Sequence, residues 1–286
     1  MIELMLVVVI LAIVMAQVVR GINTTVQRSQ AEQTKVDLTQ EGREFVDEFE
    51  RDLHQAGYPN CRTVAAPGLP GPNCPADPTT NPTEAANSAV AVGLVSVSNT
   101  QLVFEGAVDG SGTVYEVQYR VVDSAGNFPP TTTCPCTVQR SQMPKVQGIL
   151  PLAQAVPPYT TFSQELQNVV NSGVPGGTAA SGGGLPIAGN TAWGATNSAY
   201  YAAIATFKDY PVFQAYDQSG SIIALPLDNS TSAGTAALTC PPTSTSCVKS
   251  IRLTINLLAN ATTGVDLQTK VRPVTTLVGN ARLVNN

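Results

Sequence analysis

The feature that most constrains this chain is the apolar run at its front, MIELMLVVVILAIVMAQVVRG. Residues Leu4 to Val19 are apolar except for Gln17, and the carboxylate of Glu3 stands directly before them. A helix from Met1 to Val19 spans about 28 Å, close to the thickness of a bilayer core. A carboxylate inside hydrocarbon is costly unless it is paired. The run therefore predicts a helix in an apolar environment, with Glu3 at its edge.

A secretory signal peptide and an ordinary signal anchor are the alternatives for this segment. No basic segment precedes the run, and no A-x-A-like site with a change of composition follows it, which disfavours a signal peptide. A signal anchor explains the hydrophobicity but gives no reason for Glu3.

The pattern after the run predicts that the helix continues to its end near Ala56. There is no proline from Gly21 to Ala56, Gly57 suits a C-cap and Pro59 blocks continuation. Apolar residues recur at three- and four-residue steps and form one stripe: Leu38, Phe45, Val46, Phe49, Leu53 and Ala56. We expect one helix of about 55 residues, apolar all round in front and amphipathic behind.

Gly21 marks the junction between the two halves of the predicted helix. With Asn23, Thr24 and Thr25 it forms the weakest helical patch, so local unwinding and an unbroken helix are both open. The chain divides into an apolar helix over 1–25, an amphipathic helix half over 26–57 and a β-rich head over 58–286.

Short strands among long loops are predicted for the head. The segments LVFEGAV (102–108) and TVYEVQYRVV (113–122) flank a turn at Asp109-Gly-Ser-Gly, which indicates a hairpin. Further strands are predicted in AAIATFK, PVFQAY and GSIIALPL between 202 and 227, and in TTLVGNARLVNN. In VKSIRLTINLLA (248–259) the alternation places Ile251, Leu253, Ile255 and Leu257 inward and Arg252, Thr254 and Asn256 outward. The fold class expected is α+β, with an antiparallel sheet on the amphipathic helix half.

Six cysteines form three pairs that are close in sequence and do not match zinc or redox motifs. An even number beside proline-rich loops indicates disulfides and an oxidising compartment. Six cysteines allow fifteen connectivities, and the sequence does not choose among them. Of the individual pairs, Cys61–Cys74 and Cys240–Cys247 are favoured because their spacings suit stapled loops. Cys134–Cys136 is the least favoured pair, since a one-residue gap makes a strained ring.

The composition argues against several function classes. The net charge is -5 without a basic cluster, so no nucleic-acid partner is indicated. His54 is the only histidine and is expected at the solvated helix end, which disfavours histidine-based catalysis or metal binding. Turn chemistry accounts for Asp109, and further acidic ligands at calcium-loop offsets are missing. We expect neither an enzyme nor a cofactor or metal site.

A glycine-rich segment over 172–199 contains Trp193, the only tryptophan. A segment of this length and composition is typical of surface decoration or of a contact element. Trp193 either pins the loop to its own domain or contacts a neighbouring subunit or ligand.

The front segment IELMLVVVILAIVMA resembles the N-terminal helix of type IV pilins and of the pseudopilins of type II secretion systems. Mature members of that family begin with an N-methylated residue, and their glutamate neutralises the N-terminal amine of a neighbouring subunit. The resemblance assigns this role to Glu3. The family normally has four residues before the glutamate, whereas two stand here, so we expect a leader and two mature residues to be missing from this sequence.

A second resemblance, to PilW-type minor pilins, rests on RDLHQAGYPN, on the hairpin LVFEGAVDGSGTVYEVQYRV and on VKSIRLTINLL with ARLVNN. These resemblances imply a type IV pilin fold and a structural subunit of an extracellular filament, made by helical homo-oligomerisation. The alternatives are a membrane-anchored adhesin, a priming minor pilin and a secretion pseudopilin. The implied partners are an inner-membrane assembly platform, an assembly ATPase and a prepilin peptidase, with the subunit in the inner membrane before assembly and on the cell surface afterwards.

Overall fold

The described part of the chain is α+β, with a long N-terminal helix and a curled antiparallel sheet. The structure is a computed structural model, and it describes residues 2–59, 87–148, 161–173, 184–185, 187, 206–228, 232–239, 246–259 and 274–283. The helices are α1 (Ile2–His54), a short 3₁₀ helix (Thr206–Asp209) and α2 (Ser232–Thr239). The strands are β1 (Leu94–Val97), β2 (Gln101–Gly106), β3 (Tyr115–Val122), β4 (Cys136–Pro144), β5 (Ser163–Val169), β6 (Phe213–Tyr216), β7 (Ile222–Ile223), β8 (Ser250–Leu258) and β9 (Val274–Arg282).

The described strands pair in the order β1-β2-β3-β4-β5-β8-β6-β7, and β9 pairs with β8. The hairpin predicted around Asp109 is confirmed: β2 and β3 pair from Gln101 with Arg120 to Gly106 with Tyr115. β8 and β9 pair over nine positions, from Ser250 with Arg282 to Leu258 with Val274.

α1 is a single helix of 53 residues, which confirms the long helix predicted from the absence of proline. It passes through Gly21 without interruption. Its end is fixed by the sheet, because the Gly57 amide donates to the Glu105 carbonyl of β2 at 2.8 Å. Gly57 has a φ of 74°, a left-handed conformation that suits glycine and turns the chain away from the helix axis.

The core lies between the rear half of α1 and one face of the sheet. The predicted apolar stripe supplies Phe45, Phe49, Leu53 and Ala56, which are buried, and Val46, which is partly buried. They pack on apolar residues of the strands, among them Leu102, Phe104, Val117, Tyr119, Phe213, Leu253 and Ile255. The amphipathic pattern of the sequence therefore corresponds to a helix that covers a sheet.

Two expectations about the strands are wrong. In AAIATFK (202–208) the described part, 206–208, lies in the 3₁₀ helix Thr206–Asp209 and not in a strand, and 202–205 lie outside the described residues. Thr254 and Asn256 were expected to point outward, yet they are 9% and 1% exposed. The Asn256 side chain accepts from the Thr276 hydroxyl at 2.7 Å and donates to the Phe207 carbonyl at 3.5 Å. Asn171 binds the backbone here: its Nδ2 donates to the Thr254 carbonyl at 2.7 Å, and its Oδ1 accepts from the Asn256 backbone amide at 2.8 Å.

Candidate functional site

The front half of α1 is an apolar surface that the described residues of the chain do not cover. Its large apolar side chains from Met5 (73% exposed) to Val26 (49% exposed) are all exposed to solvent. The segment is long and apolar enough to cross a membrane, and none of its most apolar stretch is buried within the described chain. Glu3 is exposed in the first helical turn. An apolar surface of this size marks a contact with lipid or with protein.

The rear half of α1 holds this surface to the head through an aromatic cluster. The rings of Phe45 and Phe49 meet Tyr119 of β3 edge-on, at centroid distances of 6.0 and 5.5 Å. Phe49 also stacks on Phe213 of β6 at 5.9 Å, and Phe104 stacks on Tyr119 at 6.4 Å. Such pairs stabilise a core beyond the area that they bury.

A buried polar network at the end of the helix adds directional contacts. Asp52 is 1% exposed, and its Oδ2 accepts from the Tyr119 hydroxyl at 2.8 Å and from Arg140 Nη2 of β4 at 2.8 Å. Arg140 Nε also donates to this oxygen at 2.9 Å, and its Nη2 donates to Gln142 Oε1 at 2.9 Å. A charge buried with such partners fixes the rotation of the helix on the sheet, because any other rotation would leave the charge unpaired.

The surroundings of Tyr119 and Arg140 keep both side chains protonated near neutral pH. Burial, followed by the charge of Asp52, raises the pKa of Tyr119 well above its usual range, so the hydroxyl remains a donor. Burial opposes the charge of Arg140, but Tyr119 and Asp52 outweigh it and raise the pKa of the guanidinium. Arg140 therefore remains a cation opposite Asp52.

The helix also lies directly against β9. The carboxylate of Glu50 accepts from the backbone amide of Asn280 at 2.8 Å. A Cβ on Gly279 would stand 2.8 Å from Val46 Cγ1, and a Cβ on Gly42 would collide with Leu277. Glycines at these two crossings permit the close approach of helix and strand.

The cysteines predicted to form disulfides fall on both described and undescribed segments. Cys134 and Cys136 are joined to each other and are fully buried, although this pair was the least favoured. Cys247 is also disulfide-bonded. Cys61, Cys74, Cys240 and Trp193 lie outside the described residues.

The remaining candidates have ordinary structural roles where they are described. His54 is exposed at the helix end, and Asp109 accepts from the Ser111 amide at 2.9 Å within its turn. A second buried ion pair joins Lys145 to Glu105 at 2.7 Å, with both side chains fully inaccessible. Among the described residues, no three histidine, cysteine, aspartate or glutamate side chains are grouped to hold a metal ion.

Comparison with known proteins returns no family model, no curated protein and no solved structure that matches this chain.

The network of Asp52, Tyr119 and Arg140 was missed by sequence reasoning. Asp52 precedes Leu53 of the apolar stripe, which places it beside the buried face, but a charged residue there normally indicates a helix flank. Arg140 lies on β4, in a region where no strand was predicted. The position of Asp52 at the edge of the apolar stripe was the one signal in the sequence, and it did not indicate that Arg140 is its partner.

Proposed function

We propose that this chain is a structural subunit of an extracellular type IV pilus-like filament, assembled through its N-terminal helix. The observation that carries the proposal is the division of α1: its front half is exposed and apolar, and its rear half is locked to a sheet. A helix over an antiparallel sheet is consistent with the type IV pilin fold. The proposal assigns the chain no catalytic chemistry.

The helix supplies the physical basis of assembly. Parallel packing of the front halves would remove their apolar side chains from water, at roughly 25 cal/mol per Å² of apolar area. This driving force has no direction and does not choose a register. A carboxylate in such a core is destabilising unless it is paired, so Glu3 selects the arrangement in which it meets the N-terminal amine of a neighbouring subunit.

Cryo-EM of sheared surface filaments tests the proposal. We expect this chain to repeat along the fibre, with Glu3 buried among packed helices. Its presence at the tip alone would assign the priming role of a minor pilin. Its absence from fibres, with the chain retained in the membrane fraction, would replace the filament with an anchored surface protein.

Glu3→Gln tests the role of the carboxylate separately. An amide cannot neutralise an ammonium group, so we expect filaments to be lost while the chain still enters the membrane. Asp47→Asn is the matched control, because it makes the same change from a carboxylate to an amide at an exposed position of the same helix. Normal filaments from Glu3→Gln would contradict the pairing.

A further inference from the structure

Charges on the exposed part of α1 are separated by sign along the helix. Positions 20–35 hold three exposed cations, which we call the basic patch: Arg20, Arg28 and Lys35. Glu32 lies among them and offsets one of these charges. Four carboxylates follow at i, i+4, i+7 and i+11, and we call them the acidic stripe: Asp37, Glu41, Glu44 and Glu48. This spacing places all four on one line along the helix.

The acidic stripe faces away from Arg43, the exposed cation that lies among its residues in sequence. Arg43 is about 130° around the helix from the centre of the stripe, and Asp47 follows it at i+4. Partial burial, and then the charge of Glu44, raises the pKa of Glu41. Partial burial, and then the charge of Glu165 of β5, raises the pKa of Glu48. The charges of Arg140 and Arg51 lower the pKa of Glu48, which is the last carboxylate of the stripe. Arg140 is 3.9 Å from Glu48 but binds Asp52 at 2.8 Å. Further forward, the charge of Glu44 acts against the ionisation of Glu41.

The patch and the stripe lie on opposite sides of the helix. With 3.6 residues per turn, their centres are separated by about 140° around the axis and by about 22 Å along it. Copies that are related by translation along a fibre contact each other through two different surfaces, one on each side of the molecule. A basic surface and an acidic surface on opposite sides meet this requirement.

We propose that the basic patch of each chain docks on the acidic stripe of a second, parallel copy displaced by about 22 Å along the helix axis. The inference rests on the proposed filament and adds a second contact, between a different pair of copies from the pair that Glu3 joins. Apolar packing of the front halves is indifferent to register, whereas opposed charges favour one register and repel others. Binding of the patch to anionic lipid headgroups would leave the stripe unbalanced, so a second copy is the better occupant.

Charge reversal on both sides tests the contact in cells that carry the assembly machinery. The variants are Arg20→Glu with Arg28→Glu, Glu41→Lys with Glu44→Lys, and the combination of all four changes. We expect each double variant to reduce sheared filaments about tenfold or more, and the combination to restore them, because reversed charges again face each other. Arg252→Glu with Arg282→Glu is the control, since it makes the same change of charge at exposed positions of β8 and β9.

The outcomes separate this contact from the filament itself. Both double variants assembling normally, or a combination that stays as defective as either one, would overturn the contact while wild-type fibres leave the filament intact. A wild-type chain that forms no fibre would instead overturn the proposed function. Membrane levels of each variant, measured by immunoblot, show whether the chain is made and inserted. Loss of the arginine variant from the membrane would assign the patch to lipid headgroups and overturn the contact.

Discussion

Asp52 on the long helix and Arg140 on β4 form a 2.8 Å ion pair across 88 residues of sequence. The pair is covered by Tyr119, whose hydroxyl donates to the same carboxylate oxygen. It joins the helix that would enter a filament to the sheet that would form its surface. Force applied to either part is therefore transmitted through this contact as well as through the aromatic cluster.

Removal of one member of this pair is expected to be strongly destabilising. Asp52→Ala leaves the Arg140 guanidinium largely buried without its carboxylate, which costs about 3–5 kcal/mol of unfolding free energy. Urea unfolding of the full chain in detergent measures the loss. Asp47→Ala is the control on the exposed face of the helix and should change the unfolding free energy by less than about 0.5 kcal/mol. Similar effects of the two variants would contradict a locking role for Asp52.

The ion pair of Glu105 and Lys145 should show strong coupling between its two members. Lys145 Nζ donates to Glu105 Oε2 at 2.7 Å and to the Val90 carbonyl at 2.8 Å, with both side chains inaccessible. Lys145→Met leaves a buried carboxylate and should cost about 3–5 kcal/mol, whereas adding Glu105→Gln should recover much of this loss. A double-mutant cycle of unfolding free energies gives the coupling, and simple additivity would contradict it.

The contribution of Glu105 to the free energy of unfolding should fall as the pH rises. Burial raises the pKa of Glu105 above its unfolded value, although Lys145 and the Val92 amide oppose this rise. The folded state thus binds the proton more tightly, and stability that is present at low pH is lost as pH rises through the folded pKa. Lys145→Met removes the opposing charge, so its defect at pH 7–8 should shrink as the pH is lowered toward about 5. A defect that does not change with pH would contradict this assignment.

Asp123 should give the opposite pH dependence. Its carboxylate accepts from the amides of Ala125, Asn127, Thr131 and Thr132 and from the side chain of Asn127. Burial opposes ionisation, but these hydrogen bonds outweigh it and hold the pKa of Asp123 far below its usual range. The resulting stability is present above the unfolded pKa of about 3.9 and is lost as pH falls below it.

Asp123→Ala tests this interpretation of the loop. The variant leaves several amides without their acceptor and should cost about 2–3 kcal/mol at pH 7. Its difference from wild type should narrow below about pH 4, where the Asp123 carboxyl of the unfolded wild-type chain begins to gain its proton. Asp217→Ala is a suitable comparison, because Asp217 accepts similar bonds in a turn that is much more exposed. Equal losses from both variants would contradict the role of burial.

Replacement by alanine should have opposite effects on stability at two glycines, Gly106 and Gly21. A Cβ on Gly106 would stand 2.5 Å from the Gln55 carbonyl oxygen, so Gly106→Ala should destabilise the head by about 1–3 kcal/mol. A Cβ on Gly21 meets nothing within 4 Å, and alanine there should stabilise the helix by about 1 kcal/mol. Hydrogen exchange of residues 20–25 should slow by roughly fivefold in Gly21→Ala, in line with that gain. Unwinding at Gly21 on assembly remains a prediction, and loss of filaments from this variant would support it.

Sequence periodicity was enough to determine the long helix, its apolar stripe and the hairpin at Asp109. Each depends on residues that are neighbours in sequence, at spacings of three, four or two, so local geometry places them on one face. The absence of proline between Gly21 and Ala56, and Gly57 after it, similarly determined where the helix ends. The charge pattern of the patch and the stripe is also readable from the sequence once the helix is known.

Only the tertiary structure determines which polar side chains are buried. Asp52 and Arg140 have no local relation, and their pairing depends on the rotation of the helix over β4. The alternation predicted Asn256 to point outward, yet it is buried, with its backbone amide bound by Asn171 and its side chain by Thr276. Gly42 and Gly279 lie where the helix and β9 cross, and a side chain at either position would clash with the other element. Local pattern determines which face of an element is apolar, whereas the burial of a polar group depends on partners that only the packing of distant segments brings together.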